Sequence, residues 1–573
     1  MKALNTKTRV VYNLISLLLI LLLSLLLMYK QLVTPAYFSV MINDAHTYTS
    51  WAWQFVESMR EGIAYPRWMP LDMWGYGSPT YIIYPPLSFY MVALFSLFTK
   101  SVTLAMNICI FVALFVSGAG MFFLVKEIYS EKVALLSAIF YLILPYNILQ
   151  FYLMGSFASK ISFMWFSPVL LFTYLYSKNR QLKHLVYSSM CYSGLILTHI
   201  INAYMFTFVL LVFIVHLSVK ERQFKRMLKM LSIIPMAIFM SAAYVLPLIF
   251  EKHFINLSGF FTKGKGFYYS RFFIFPNLSK EVPDNLFWPV YYKMYVFLTV
   301  FFAILLLLFY IPHLKSRLSG NWVGGVKLYK SFLWIALVSM FLLFGPSTFL
   351  WETIPFMKYI HFPVRWLNIT AFAVTLLFAS FAEILMREEK SKRLFHIFLS
   401  VLIFLFVFLD VHYIRYASTF QEQELIPVRA ENSSTDHQLP WVETCLLDKK
   451  SGYLKKLDII QGEGNVEAVV WKTAERVFHA EAAQPMVLRI RTFNFPGWNT
   501  YLDDRLTKIK MEDKTGAILV DVPKGVHRIK LIFGDTPVRY YGKVISLVSI
   551  FLLLLFGPLY GPLRNINSSG KRR

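Results

Sequence analysis

Long apolar runs recur along almost the whole chain, and they constrain its fold more than any other feature. Twelve runs approach the roughly 20 residues that a helix needs to cross a lipid bilayer. Apolar residues make up 57% of the chain and charged residues only 16%, a balance unsuited to a water-soluble protein. The sequence therefore predicts an α-helical polytopic membrane protein. The predicted spans lie near 10–29, 103–125, 133–151, 161–177, 184–200, 203–219, 227–250, 291–312, 331–350, 366–386, 394–411 and 544–562.

A thirteenth apolar stretch at 81–98 is broken by Pro85 and Pro86, so we expect a juxtamembrane helix rather than a span. With twelve spans, the Lys- and Arg-rich short loops and the basic tail fall on the side of the basic N-terminus, as the positive-inside rule requires. This predicts a multi-pass protein of the cell (plasma) membrane with both termini in the cytoplasm. The first run is longer than the core of a signal peptide, so we expect a retained helix.

The same topology places the polar segments on the extracytoplasmic side, beginning with a large first outer loop at 32–102. Residues 412–543 have the composition of a soluble domain, and their alternating runs are typical of strands. We therefore expect a transmembrane domain at 1–411, an extracytoplasmic β-sandwich-like domain at 412–543, and a final helix with a basic cytoplasmic tail at 544–573. The predicted strands include 466–472, 486–493, 517–522 and 526–533.

Charge and motif content exclude several classes of function. The net charge is +25, but the basic residues lie mostly in short loops between apolar runs, so they indicate topology rather than nucleic-acid binding. The sequence contains no Walker motif, no G-x-G-x-x-G after a strand, no H-E-x-x-H and no G-x-S-x-G. The three cysteines are far apart, which argues against a disulfide framework or a zinc site.

The first outer loop contains carboxylate, imidazole, guanidinium and phenol groups, namely Asp44, His46, Arg67, Asp72 and Tyr76. Asp44 follows the first span, where a carboxylate can act as a general base towards an acceptor hydroxyl or hold a divalent cation such as Mg or Mn. The alternative is a solvated carboxylate at the membrane interface. We take Asp44 as the candidate catalytic residue and the other four as candidates for substrate binding.

A second polar segment places Lys358, His361 and Arg365 just before a helix returns into the membrane. The guanidinium of Arg365 is a bidentate donor and the following helix presents backbone N–H groups, which together suit a lipid phosphate or pyrophosphate. The alternative is that these side chains snorkel to ordinary lipid headgroups.

Two outer corners supply the remaining candidates for substrate binding. His199 and Asn202 lie where the span 184–200 turns into the next span, and they either contact substrate or only cap the helix end. Lys160 lies in another corner, where an exposed loop lysine is the simpler interpretation.

Five motifs occur in the same order as in bacterial multi-pass proteins of the GT-C glycosyltransferase superfamily, which the chain resembles. Within this group the sequence is similar to the branch labelled 6-pyruvoyl-tetrahydropterin-synthase-related membrane proteins, a label that does not imply pterin chemistry. A Phe495-Pro-Gly-Trp498 stretch also resembles the C-terminal region of YfhO-type membrane proteins. The five motifs are Asn43-Asp44, Tyr65-Pro-Arg-Trp68, Gly75-Tyr-Gly-Ser-Pro79, Tyr84-Pro-Pro-Leu87 and His361-Phe-Pro-Val-Arg-Trp366.

The resemblance implies a GT-C-like fold and transfer of a sugar from a polyprenyl-phosphate-linked donor to an extracytoplasmic acceptor, which is a cell-envelope glycan, polysaccharide, lipid or protein. It also implies that Asp44 lies at the acceptor or a metal and that Arg365 receives the lipid phosphate. The resembling sequences have Arg and Glu where this chain has Met154 and Ser159. This departure favours an alternative, a non-catalytic membrane component that binds lipid-linked glycans for polysaccharide assembly or export. A secondary transporter fits least, because the spans contain few ionisable residues.

Overall fold

The computed structural model describes residues 6–34, 36–38, 42–152, 155–219, 224–255, 325–387, 389–416, 419–421 and 455–569. Within these ranges the chain is mostly helical, with several apolar helices and a C-terminal β region. The predicted span at 291–312 lies outside the described residues, as does Met154, one of the two positions that depart from the resembling sequences.

The helices of the N-terminal half follow the apolar runs closely, but several runs form two or three helices instead of one. Pro145 begins a new helix inside the run 133–151, and two serines, Ser232 and Ser241, interrupt the run 227–250. The helices are α1 (Thr6–Val33), α2 (Ile42–Arg60), α3 (Asp72–Gly75), α4 (Thr80–Ile83), α5 (Leu87–Ser96), α6 (Val102–Ile128), α7 (Glu131–Leu142), α8 (Pro145–Tyr152), α9 (Phe157–Ile161), α10 (Phe163–Asn179), α11 (Leu182–Thr198), α12 (Ile200–Val219), α13 (Phe224–Leu231), α14 (Ile233–Met240) and α15 (Ala242–Glu251).

The C-terminal half contains long helices on both sides of the β region. Short 3₁₀ turns at Met357–Ile360 and Pro363–Trp366 lead into the first helix after the polar segment 352–366. Proline at the start of the second turn fits there because a first-turn N–H has no helical partner. The helices are α16 (Gly325–Phe341), α17 (Thr348–Thr353), α18 (Leu367–Arg387), α19 (Glu389–Tyr416) and α20 (Pro537–Ser569).

The number of helices able to cross a membrane is smaller than expected. Among the described residues, five helices are long and apolar enough, or six if the pair 224–240 and 242–254, bent by 76°, forms one crossing. The expectation of about twelve is therefore not met. Helix breaks shorten two of the predicted spans, and the helices α10 and α11 reach only 17 residues each, the short end of the range for a crossing.

As predicted, the apolar stretch 81–98 does not form one continuous helix. Its backbone leaves the helical conformation at Tyr84, and Pro86 precedes α5, which is only ten residues long. Proline explains the break because it lacks the N–H that would continue the helix and restricts the residue before it.

The C-terminal β region contains two antiparallel sheets, with strand orders β3-β6-β10-β9 and β4-β5-β11-β7-β8. Buried side chains of both sheets belong to one hydrophobic cluster, as in a sandwich. The four predicted strands correspond to β4, β6, β10 and β11. The strands are β3 (Leu457–Gln461), β4 (Gly464–Trp471), β5 (Glu475–Ala482), β6 (Met486–Phe493), β7 (Trp498–Leu502), β8 (Arg505–Thr507), β9 (Lys510–Met511), β10 (Ala517–Val522) and β11 (Gly525–Phe533), and a separate pair joins β1 (Ala36–Phe38) to β2 (Thr419–Gln421).

Helix α2 connects the helical bundle to the β region. At its N-terminal half, the Tyr48 ring lies 6.1 Å from the Phe157 ring of α9. At its C-terminal end, the Ser58 hydroxyl lies 3.3 Å from the Thr473 hydroxyl, next to β5. Ten residues of helix separate Tyr48 from Ser58, which corresponds to about 15 Å along the axis. The two ends of α2 therefore mark two distinct places in the molecule.

Candidate active site

The catalytic candidate Asp44 and its neighbour His46 lie near the start of α2, and their side chains are outside the described residues. Tyr48 follows Asp44 by four positions, so both positions share one face of α2. The Tyr48 hydroxyl lies 2.6 Å from the Tyr84 hydroxyl. This face of α2 is therefore held next to α9 and the end of α4.

A buried polar network lies among helices that are otherwise apolar, with Asn202 near the start of α12 at its centre. Its amide nitrogen donates to the backbone oxygen of Ser159 at 3.1 Å and to the Ser162 hydroxyl at 2.7 Å. Its amide oxygen accepts from the Asn368 amide of α18 at 2.9 Å. Both asparagines are almost fully buried. Because each donates and accepts in this environment, the network fixes α9, α12 and α18 relative to one another.

Two side chains of α8 extend the network. The Tyr146 hydroxyl donates to the Asn368 side-chain oxygen at 2.8 Å and accepts from the Gln150 amide at 2.5 Å. The same Tyr146 hydroxyl lies 3.4 Å from the backbone oxygen of Val364, next to Arg365. The network therefore reaches the polar segment 352–366.

Lys160 is not an exposed loop residue, since its side chain is only 2% exposed. The ammonium donates to the backbone oxygen of Asn147 at 3.2 Å and lies 4.7 Å from the centre of the Phe163 ring. Burial lowers the pKa of Lys160 well below its usual range, because the charged form loses its hydration. A lysine in this environment gains strongly from an anionic ligand.

His199 caps α12 and belongs to the same network. Its Nδ1 accepts a hydrogen bond from the backbone N–H of Asn202 at 3.1 Å, the usual geometry of an N-terminal cap. A histidine that accepts at Nδ1 carries its proton on Nε2 in the neutral form, so His199 is a donor at its other nitrogen. The capping interpretation is therefore correct, and it leaves the Nε2 donor for other contacts.

Arg365 lies beside this network. It is half-buried, its Nη1 donates to the backbone oxygen of Ile360 at 2.8 Å, and its guanidinium lies 4.9 Å from the centre of the Phe362 ring. The charge of Arg365 is within electrostatic range of Tyr146 and His199. The structure therefore brings Lys160, His199 and Arg365, from three separate segments of the sequence, around one set of buried amides.

The polar segment around Arg365 has an unusual backbone. Phe356 and His361 have φ values of 65° and 64°, a region that non-glycine residues rarely adopt. The Tyr204 hydroxyl donates to the backbone oxygen of Pro355 at 2.6 Å, which ties the segment to α12. Lys358 is exposed on this segment. Strained conformations held by their surroundings are frequent at ligand sites.

The remaining candidates of the first outer loop lie elsewhere. Arg67 donates to the backbone oxygen of Ala243 at 3.0 Å and lies 3.8 Å from the Asp535 carboxylate. Tyr76 stacks on Phe493 of β6 with ring centres 5.0 Å apart. Both therefore belong to the contact with the β region. Buried Asp72 lies in the turn α3 between them, so these three residues are not grouped with Lys160 and Arg365.

Sequence reasoning missed the amides that organise the network, Gln150 and Asn368, and the tyrosine Tyr146. A usable signal was present, since polar side chains inside predicted spans are costly unless they are paired. Among the side chains that the structure describes, no group of three His, Cys, Asp or Glu residues is arranged to hold a metal ion. The proposed metal ligand Asp44 lies outside those side chains.

Comparison with known proteins gives one result. The chain matches the sequence model of a family described as a 6-pyruvoyl-tetrahydropterin synthase related domain and as a membrane protein, over residues 81–418. No curated protein matches the chain. The matched region is more than half of the chain and contains Lys160, His199, Asn202 and Arg365.

Proposed function

The chain belongs to the family of 6-pyruvoyl-tetrahydropterin synthase related membrane proteins, and on this premise we propose that it is a GT-C-like glycosyltransferase with a polyprenyl-phosphate sugar as donor. The observation that supports the proposal best is the grouping of Lys160, His199 and Arg365 around buried amides. The guanidinium of Arg365, the Nε2 donor of His199 and the buried amine of Lys160, whose charged form an anion would stabilise, suit the phosphate of an amphiphilic donor.

In the proposed reaction, an acceptor hydroxyl attacks the anomeric carbon of the sugar. The new bond forms as the bond from that carbon to the phosphate oxygen breaks, and the electron pair of the broken bond remains on the phosphate. Arg365 stabilises the charge that develops on the phosphate, which is where a fixed guanidinium contributes most. The hydroxyl proton passes to the carboxylate of Asp44, the general base of the proposal. Lys358 and His361 assist at the phosphate.

The position of α2 is compatible with these roles. Asp44 shares a helix face with Tyr48, and Tyr48 contacts Phe157 in the helix that carries Lys160. In the proposed orientation this end of the bundle faces the extracytoplasmic side and both termini lie in the cytoplasm. We also propose that the β region is similar to that of YfhO-type proteins. The acceptor is a component of the cell envelope.

One observation favours the non-catalytic alternative. Ser159, where resembling sequences carry Glu, contributes its backbone oxygen and its hydroxyl to the hydrogen bonds of Asn202, each at 3.1 Å. A position that holds an acid in related chains has a structural contact in this one. A protein altered in this way would bind a lipid-linked glycan without turning it over.

The proposal is tested by glycosyl transfer in proteoliposomes that contain the full chain, a panel of radiolabelled polyprenyl-phosphate sugars and cell-envelope acceptors. We expect Asp44→Asn and Arg365→Ala to reduce transfer by about a hundredfold or more, the usual loss for a group that stabilises transition-state charge. Arg365→Lys retains the charge without the planar donor pair and should recover only part of the activity.

The matched controls lie at the opposite end of α2, where Glu57 and Arg60 form an exposed ion pair at 2.6 Å. Glu57→Gln and Arg60→Ala should leave transfer within about twofold of the wild type, since exposed pairs contribute little. Binding of the lipid donor without turnover across the panel would support the non-catalytic alternative. Full transfer by Arg365→Ala would exclude the assigned role of Arg365.

A further inference from the structure

A second place for a ligand lies at the other end of α2. A cavity of about 510 Å³ is lined by residues 63–68 of the first outer loop, by α15 and α20, and by the β region. Its volume is in the range of cavities that hold small ligands. Thr473, which contacts the C-terminal end of α2, lines it. The cavity is therefore separated from the buried polar network by most of the length of α2.

Arg67 contributes a buried guanidinium to this cavity. The side chain is only 4% exposed, and its Nε and Nη1 have no hydrogen-bond partner among the residues that the structure describes. The hydroxyl of Tyr65 is also buried without a hydrogen-bond partner among those residues. The Arg67 guanidinium lies over the Tyr65 ring, 4.0 Å from its centre. Buried donors without acceptors are costly, so an acceptor-rich ligand would stabilise this arrangement.

The charged groups at the cavity sum to a positive charge. Asp535 lies 3.8 Å from Arg67 Nε and 2.5 Å from Lys543 Nζ, so one carboxylate is shared by two cations. The neighbouring Arg539 does not change this balance, because it pairs with Glu251 at 2.8 Å. One positive charge remains, and within a cavity of low dielectric constant it attracts anions.

One wall of the cavity continues into a surface suited to lipid. Leu547 of α20 lines the cavity and is 68% exposed, and the exposed apolar side chains Val548 and Phe551 follow on the same helix. Residues 537–555 of α20 are long and apolar enough to cross a membrane. A ligand with an anionic head at Arg67 and acyl chains along α20 would satisfy both parts of the site.

We propose that this cavity binds the phosphate headgroup of an anionic phospholipid, with Arg67 and Lys543 as the recognising cations. Such a lipid would join the first outer loop, α20 and the β region at the membrane surface, because residues from all three line the cavity. The site is independent of sugar transfer, and its occupant differs from the glycosyl donor.

The test is native mass spectrometry of the full chain in detergent, titrated with phosphatidylglycerol or, separately, with phosphatidylcholine. The wild type should retain phosphatidylglycerol in preference. Lys543→Gln should weaken this binding about fivefold, and Asp535→Asn should strengthen it about fivefold, the effect of one charge near an anionic headgroup. Arg67→Gln should abolish the preference. The matched control is Lys510→Gln, which removes a similarly ion-paired lysine, 2.6 Å from Asp521, in the β region.

A purely structural role of these residues predicts a different pattern, in which Asp535→Asn and Lys543→Gln lower thermal stability and neither changes lipid preference. That pattern, or equal retention of both lipids by the wild type, would overturn the proposal. A further titration with soluble glycerol phosphate distinguishes a lipid headgroup from a free phosphate ester as the ligand. Displacement of the lipid by millimolar glycerol phosphate would show that the site recognises free phosphate esters, and it would refute a lipid site.

Discussion

Gly497 shows how a single residue fixes the contact between the β region and the helices. Its φ is 115°, and a Cβ atom there would lie 2.5 Å from Arg539 Nη1 and 2.8 Å from the backbone oxygen of Gly534. Glycine is therefore required twice, for the backbone conformation and for the close approach.

Gly497→Ala should destabilise the protein by both effects. Gly62 is the matched control, because its φ of 92° imposes the same backbone penalty while no atom lies within 4 Å of a Cβ built there. We expect Gly497→Ala to cost about 1–3 kcal/mol more than Gly62→Ala, the usual cost of forcing extra volume into a packed site. Thermal unfolding in detergent micelles measures the difference. Equal melting temperatures for the two variants would show that the contact with Arg539 is not tight.

At the scale of elements, helix α20 is attached to α15 by a buried ion pair. Arg539 donates from Nε to the Glu251 carboxylate at 2.9 Å, its Nη2 lies 2.8 Å from the same carboxylate, and neither side chain is more than 4% exposed. Arg539 also donates to the backbone oxygen of Pro496 at 2.7 Å. The same side chain thus joins two helices and the β region.

Arg539→Met should destabilise the protein by about 3–5 kcal/mol, because it leaves the Glu251 carboxylate buried without its partner. Adding Glu251→Gln should restore part of this loss, since the remaining group is neutral. Unfolding of the single and double variants in detergent gives the coupling free energy between Arg539 and Glu251. The control is the exposed pair Lys178–Glu127, separated by 3.1 Å, where a coupling below about 1 kcal/mol is expected. A double variant less stable than Arg539→Met would contradict this assignment.

The hairpin of β7 and β8 turns at Asp503 and Asp504, both with positive φ, and is joined to β11 by a pH-sensitive contact. Asp503 lies 2.7 Å from Nδ1 of His527 and accepts the backbone N–H of Arg528 at 2.8 Å. The hydrogen bond with His527 lowers the pKa of Asp503, and the hydrogen bond with Asp503 raises the pKa of His527.

These shifts set the direction of a pH effect. The histidine contributes stability below its ordinary pKa of about 6.5 and loses it as pH rises, whereas the carboxylate contributes above about 3.9 and loses it as pH falls. Asp503→Asn should therefore lower the melting temperature more at pH 5 than at pH 8.5. Equal losses at the two pH values would show that the contact does not depend on the charge of His527.

Element types were easier to predict from the sequence than element boundaries. The strands at 486–493 and 517–522 have the predicted bounds, because each short apolar-rich run is flanked by proline, glycine or asparagine. The spans were overcounted because hydropathy does not register breaks such as the one at Ser241, where the chain bends by 76° between apolar helices. The break at Ser241 packs against α20, whose Ser546 hydroxyl accepts the backbone N–H of Ala243, and hydropathy carries no information on such a contact.

At the scale of the whole molecule, α2 separates the buried polar network from the cavity beside Arg67. Residues at both ends of α2 belong to the first outer loop of the sequence. Lys160, His199, Asn202 and Arg365 were candidates from separate segments, and they belong to or adjoin one buried polar network. Arg67, an equally reasonable candidate, lies by the β region instead. The sequence supplied residue types with the right chemistry, but which of them meet depends on contacts between segments hundreds of residues apart, such as Asn202 with Asn368. No local pattern contains that information.

The most direct test of the central claim is to map where the donor lipid binds. A polyprenyl phosphate that carries a photoreactive diazirine near its phosphate is irradiated with the full chain in proteoliposomes, and the labelled peptides are identified by mass spectrometry. We expect labelling in peptides that contain 157–163, 199–202 and 357–366, and loss of that labelling in Arg365→Ala. Labelling confined to 63–68 and 543–547, or unchanged by Arg365→Ala, would contradict it.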